Sequence, residues 1–192
     1  MIVFKNRVVN DFFWSGLFVL FLYWTINNPV THPIPKLEEG LWSIEEMQRP
    51  LLGGIVGHNF LVLRDEGGKI ISELHGLATD TTTGEAKFVT FNKGEKLRVW
   101  EFDKPKYNLS ENKFAGKILK EGNKDTILSM WDNAKNCGED INNADFLYSA
   151  FKLKGQTENS NSVAYTLASC MGVDTKHLGL IIPGDRFNLL NR

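Results

Sequence analysis

The chain opens on an apolar tract. Residues 12–26 read FFWSGLFVLFLYWTI, fifteen positions without a charge. Lys5 and Arg7 precede them, and Asn27, Asn28 and Pro29 follow. The tract falls short of the ~20 residues that span a bilayer comfortably, but apolar runs at Ile2–Phe4 and Val8–Val9 lengthen it. Trp14, Tyr23 and Trp24 suit the two membrane interfaces. We read residues 1–30 as an uncleaved signal anchor, with the positive flank cytoplasmic and the C-terminal domain exported, giving a single-pass membrane protein. A cleaved signal of a secreted protein and a buried N-terminal hydrophobic helix are the competing readings. No small-x-small cleavage site precedes Pro29. Residues 27–36 hold three of the six prolines, which predicts an extended spacer. The expected organisation is a linker over 31–49 and one folded domain over 50–192.

Alternation then takes over. Residues 57–64, GHNFLVLR, and 69–75, KIISELH, read as strands joined by Asp65-Glu66-Gly67-Gly68, a hairpin signal. Residues 86–92 and 96–102 predict a second hairpin across Lys93-Gly94-Glu95. Charges alternate in sign over 103–125, which reads as a solvated face. The period next becomes helical. Ile127, Leu128, Met130, Trp131 and Ala134 predict a helix over 123–136, capped by Asn123 or Asp125 and ended by Gly138. A second helix is expected over 140–151, with Ile141, Ala144, Phe146, Leu147 and Phe151 apolar. After the polar stretch GQTENSNS, Val163, Leu167 and Met171 mark a third, ended by Gly172. Strands first and helices last predict an α+β domain, an antiparallel sheet of hairpins followed by helices. Trp100, Phe102, Trp131, Phe146 and Tyr148 are spaced as core residues.

Composition removes several function classes. With 22 basic and 23 acidic residues the net charge is −1, and without residues 1–30 the counts are 20 and 22. No basic excess marks a nucleic-acid surface. Cys137 and Cys170 are too few for a zinc site or a disulfide framework; Cys170 reads as a buried small apolar residue, and a disulfide between the two is open only if the domain is exported. No phosphate loop, zinc-protease helix or calcium loop is present, so no cofactor or metal is expected.

The remaining chemistry concentrates at three places. If the first hairpin turns on Glu66-Gly67, His58 and His75 are direct cross-strand neighbours; if it turns on Gly67-Gly68 they are diagonal, still within side-chain reach. His32 and His177 have no comparable partner. Glu73 shares the sheet face of His75, because residues i and i+2 point the same way. Asn159-Ser160-Asn161-Ser162 stands where loop becomes helix. Free N–H groups and the positive dipole end favour an anion there, and Ser and Asn are equally the preferred caps.

A histidine on a leading strand, a polar residue on the next, and a short Asn-x-Asn-Ser motif at a helix start resemble the circularly permuted papain-like group. That group includes lecithin:retinol acyltransferase-like proteins, permuted NlpC-type hydrolases and papain-like domains of bacterial polymorphic toxins. Asn159-Ser160-Asn161-Ser162-Val163 matches the group's Asn-Cys-Asn-Thr-Phe pattern position for position, with Ser160 in the place of cysteine. Gly57-His58-Asn59-Phe60 matches the histidine strand and His75 the orienting residue. Pro183-Gly184 and Leu189-Leu190 resemble the toxin-type endings.

The resemblance implies an acyl-transfer hydrolase of an amide or ester bond. Ser160 is the nucleophile, with Ser162 its rival, and His58 is the general base. His75 orients His58, and Glu73 supplies the negative charge that a neutral imidazole lacks. Backbone N–H groups of 160–162 form the oxyanion site, with Asn159 or Gln156 as side-chain donors. The substrate is a peptide, protein or lipid acyl group, acted on at the cell envelope or in a neighbouring cell as a toxin-type effector. Because Ser replaces Cys, two alternatives stand beside this: a catalytically inactive papain-like binding module, and a membrane-tethered interaction protein. The oligomeric state has no signature in the sequence.

Overall fold

The computed structural model describes residues 38–191, apart from positions 52, 53, 55, 88, 89, 91–93, 108, 110–113, 151–156, 176, 177, 181 and 185. The apolar tract at 12–26, His32, Gln156 and His177 lie outside the described residues. Among the described residues no helix is long and apolar enough to cross a membrane.

The strands are β1 (Trp42–Leu51), β2 (Val56–Arg64), β3 (Ile70–Thr79), β4 (Ala86–Lys87), β5 (Lys96–Phe102) and β6 (Ala115–Gly122). The helices α1 (Lys124–Asn143) and α2 (Ser160–Cys170) follow. The class is α+β, with one antiparallel sheet in the order β4-β3-β2-β1-β6 and β5 paired to β3. The second expected hairpin is not closed on itself. Its described parts, β4 and β5, both pair with the Ala78–Thr79 end of β3, so they flank it on opposite edges.

β1 corrects the expected linker, because residues 42–49 belong to the sheet and pair with both β2 and β6. The alternation that would have revealed it is hidden by polar residues on both faces. Glu45, Glu46 and Gln48 are all buried. Arg64 Nε donates to Glu45 Oε2 at 2.9 Å, and Asn59 Nδ2 donates to Glu46 Oε1 at 2.7 Å. Gln48 Nε2 donates to Asn59 Oδ1 at 2.8 Å. Buried polar groups persist where such partners exist.

α1 merges the two helices expected over 123–136 and 140–151. Asn123 caps it, its side chain accepting from Thr126 N–H at 3.0 Å. Ile127, Trp131, Ala134, Gly138 and Ile141 form one buried stripe at helical spacing. Gly138 does not end the helix. A Cβ there would stand 3.0 Å from Val99 Cγ1, so glycine lets α1 lie close on β5. The helix stops at Ala144, and Asp145 follows in the left-handed region at φ 56°. Residues 146–148 are not helical but run beside β5, with Leu97 N–H donating to Phe146 O and Tyr148 N–H to Glu95 O, each at 2.8 Å.

Two apolar layers result. On one face of the sheet Ile44, Leu61, Leu63, Leu74 and Leu97 pack against Ile127, Trp131, Val163 and Leu167 of the helices. Cys170 is not the buried apolar residue expected: it is exposed, and a disulfide to Cys137 joins α1 to α2, with their Cα atoms 6.4 Å apart. On the other face Met47, Phe60 and Val62 are covered by Leu109 and Phe114, with Tyr107 packed alongside. The segment expected as a solvated face over 103–125 therefore supplies this cover and β6.

Candidate active site

The site is built on a parting of two strands. β2 and β3 pair from Arg64↔Ile70 to Leu61↔Leu74, the register of a turn on Gly67-Gly68. Asp65 fixes that turn, its Oδ1 accepting from the N–H groups of Gly67 and Lys69, and Gly68 supplies the positive φ of 76°. Beyond Leu61↔Leu74 the ladder ends. β2 continues on β1 and β3 continues on β5. Residues 57–59 thus need other partners for the backbone groups that faced β3. Asn161 of α2 supplies them. Its Oδ1 accepts from Asn59 N–H at 2.9 Å, and its Nδ2 donates to Gly57 O at 3.1 Å. The start of α2 is wedged into the fork.

His58 and His75 face away from the helices, on the layer of Phe60 and Val62. They are diagonal neighbours and meet through their rings, His58 Nε2 lying 3.1 Å from His75 Nδ1. His75 Nε2 lies 3.0 Å from Glu73 Oε2. That oxygen also accepts from Lys106 N–H at 3.0 Å, while Glu73 Oε1 is buried with no partner among the described residues. Phe60 lies parallel to His75 at 4.4 Å between centroids, and Phe102 meets it edge-on at 5.4 Å. His58 is 3% exposed, and His75 and Glu73 are fully buried.

Burial sets the charge states. It pushes the His58 imidazole well below its ordinary range, helped by the nearby His75 and by the charge of Arg49. It lowers His75 to about 3, with Lys106 adding to the effect. Both rings are therefore neutral at neutral pH. Burial raises the Glu73 carboxyl to about 7, against the opposing hydrogen bond from Lys106. Once Glu73 is ionised, Oε2 can only accept, so His75 carries its proton on Nε2 and offers a bare Nδ1. His58 must then donate from Nε2, which leaves His58 Nδ1 as a lone pair. That nitrogen has no hydrogen-bond partner among the described residues. With Glu73 protonated, the chain of bonds is free to run in the opposite sense.

The start of α2 separates its polar residues by task. Asn159 is the cap, its Oδ1 accepting from the N–H groups of Asn161 at 2.9 Å and Ser162 at 3.2 Å. Ser162 completes a capping box, accepting from Asn159 N–H and donating to Asn159 O, both at 2.9 Å. Ser162 is thus committed to the helix end rather than offered as a nucleophile. The N–H groups of 161 and 162, expected in an oxyanion site, are taken as well. Asn159 Nδ2 and Asn161 Nδ2 both donate to Pro183 O, at 2.8 and 3.1 Å, which ties the C-terminal segment to this point. Ser160 is the member left over. Its hydroxyl is 3.5 Å from Asn161 Oδ1 and makes no hydrogen bond to His58. Its N–H has no partner among the described residues. Its backbone presses on β3, since a Cβ at Gly76 would stand 3.0 Å from Ser160 Cα.

Three residues escape sequence reasoning. Arg49 is the direct cross-strand partner of His58 on β1. Its Nη1 donates to Tyr107 Oη at 3.0 Å, and its guanidinium lies 4.4 Å from the Tyr107 ring centre. Lys106 Nζ lies 4.3 Å from the Phe102 ring centre. None carries a local motif, because their place depends on β1 and on a loop that reads as solvated. Phe102, expected in the core, flanks His75 instead. Among the described residues no group of His, Cys, Asp and Glu forms a metal-ligand set. No family model, curated protein or solved structure matches the chain.

Proposed function

We propose that the chain is an acyl-transfer hydrolase of amide or ester bonds on a circularly permuted papain-like scaffold. The observation that carries this reading is the continuous Glu73–His75–His58 chain of hydrogen bonds, which leaves His58 Nδ1 without a partner among the described residues, on the strand whose backbone at 57 and 59 holds the start of α2. Ser160 Oγ leaves Asn161, turns to His58 Nδ1 and attacks the carbonyl carbon while His58 takes the hydroxyl proton. Catalytic hydrogen bonds commonly tighten only when substrate is bound. His58 returns that proton to the departing amine or alcohol. Water then attacks the acyl-serine, again with His58 as base, and releases the acid. Ser160 N–H is the α2 amide left free for the oxyanion. His75 and Glu73 are positioning residues that hold the His58 tautomer. The Cys137–Cys170 disulfide supports an exported domain, since such bonds persist in oxidising compartments. The envelope-acting or toxin-type role rests on the resemblance.

A second reading, a catalytically inactive binding module, is favoured by one observation. The cap Asn159 occupies two of the three amides that an oxyanion site needs. Labelling the full chain with a fluorophosphonate, then locating the adduct by peptide mass spectrometry, separates the two. An adduct on Ser160 that disappears in His58→Ala supports the enzyme. A folded chain without any adduct, or with one indifferent to His58→Ala, overturns it in favour of the module.

A further inference from the structure

Cations of this domain are held in two ways, by carboxylates or over aromatic rings, the second seen also away from the relay at Lys124 over Trp42. Arg64 is paired with Glu45, Arg98 with Asp145, and Lys87 with Asp80 and Glu95. Arg49 and Lys106 have no carboxylate partner among the described residues. Each lies over an aromatic ring instead, Arg49 over Tyr107 and Lys106 over Phe102. Those two rings are the ones set edge-on to His75, at 5.9 and 5.4 Å between centroids. A half-buried guanidinium directly opposite the base is therefore held in place by a ring and a hydroxyl, with no carboxylate against it among the described residues. One of its five N–H donors is used on Tyr107, and the others have no partner among the described residues.

A positive charge at this point disfavours protonated His58, so on its own it works against a general base that must take up a proton. A bound anion reverses that effect. The guanidinium fork matches the two oxygens of a carboxylate, and stacking on an aromatic ring orients it. We infer that Arg49, braced by Tyr107 and assisted by the field of Lys106, is the seat for a carboxylate carried by the acyl substrate. The inference rests on the acyl-transfer reading and names its substrate class: amides or esters whose acyl part bears a second, free carboxylate a few bonds from the scissile carbonyl.

The test uses the full chain and two readouts. The first is binding, followed by imidazole nitrogen NMR of His58 during titration with glutarate and with neutral glutaramide. Glutarate is expected to shift the His58 signals saturably, glutaramide is not, and Arg49→Gln should weaken glutarate by roughly tenfold or more, as befits loss of a charge-assisted pair. Arg49→Lys keeps the charge without the fork, and intermediate affinity is expected from it. A thermal melt shows that each variant is folded, and the distant Lys135→Gln should bind as the parent does. The second readout is hydrolysis of mono(4-nitrophenyl) glutarate against 4-nitrophenyl butyrate, with a preference for the anionic ester that falls in Arg49→Gln. Equal binding of glutarate and glutaramide, no saturable shift, or undiminished affinity in both Arg49 variants overturns the seat. Glutarate binding without hydrolysis of either ester overturns the acyl-transfer reading and leaves the seat standing.

Discussion

Glu73→Gln turns the relay's electrostatics into a measurable stability difference. Glu73 has a folded value of about 7 against an ordinary 4.5. The native state therefore holds the proton more tightly across that interval, so stability falls as pH rises from 4.5, and the loss is complete above about 7. The gap corresponds to about 3 kcal/mol. His58 and His75 act in the opposite sense. Their folded values are depressed, so they withhold stability as pH falls below 6.5 and the unfolded chain binds protons first. That contribution is common to both proteins and cancels in their difference. Glutamine is uncharged at every pH, so whatever it loses in packing or hydrogen bonding is a constant offset. Urea unfolding of both proteins at intervals between pH 4.5 and 8 gives the difference directly. It should move by about 3 kcal/mol in favour of Glu73→Gln across the interval, whatever its value at pH 4.5. A difference that stays flat would refute the assignment of a buried, reluctantly ionised carboxyl to this position, and with it the tautomer argument for His58 Nδ1.

The same ionisation predicts that hydrolysis of 4-nitrophenyl butyrate rises through about pH 7 as Glu73 deprotonates, and that Glu73→Gln removes this limb; a profile centred elsewhere in both proteins would detach the relay from catalysis. Asn161→Ala leaves Asn59 N–H and Gly57 O without partners in the fork, and chemical denaturation should register a loss of about 3 kcal/mol, at one to three for each buried group stranded. Ser162→Ala removes one arm of the capping box and should lower stability by about 1 kcal/mol while fluorophosphonate labelling at Ser160 persists; loss of labelling there would return Ser162 to the chemistry. The Cys137–Cys170 disulfide closes a separation of 33 residues, so Cys137→Ser with Cys170→Ser should lower unfolding stability by about 4 kcal/mol on the loop-entropy relation, measured against the oxidised parent.

What the sequence made legible is the part where side chains alternate or recur without polar interruption. β2, β3 and β5 were readable from that pattern, and so were the His58–His75 meeting and the Glu73 that follows from sharing a face. β1 was not, because Glu45, Glu46 and Gln48 are buried through partners on β2 that no local pattern announces. α1 was divided at Gly138 because a glycine that admits a close-packed strand and a glycine that ends a helix are the same letter. The motif at 159–162 was readable as a place and ambiguous as a function. Asn and Ser serve a helix cap and a nucleophile site with the same atoms, and only the hydrogen bonds of the folded chain show Ser162 spent on the cap and Ser160 left over. Arg49 is legible only after β1 is paired, since its position opposite His58 is a fact of register.

The relay is an unfavourable thing to bury, and that bears on which reading of the site is stronger. Two neutral imidazoles and a carboxyl, one of whose oxygens has no partner among the described residues, share a layer with the buried Met47, Phe60, Val62, Leu109 and Phe114. Apolar residues of similar volume at 58, 73 and 75 would extend that layer without the desolvation that shifts all three groups. A scaffold that only binds a partner through its surface gains nothing from the buried polar chain, whereas a site that moves a proton needs its tautomer fixed. Replacing His75 and Glu73 together by Leu and Met tests this trade. A variant that is more stable than the parent yet no longer labels at Ser160 is the signature of stability given up for chemistry. One that is more stable and labels equally well would show that the relay does not serve Ser160, and the search for its use would move to the carboxylate seat at Arg49.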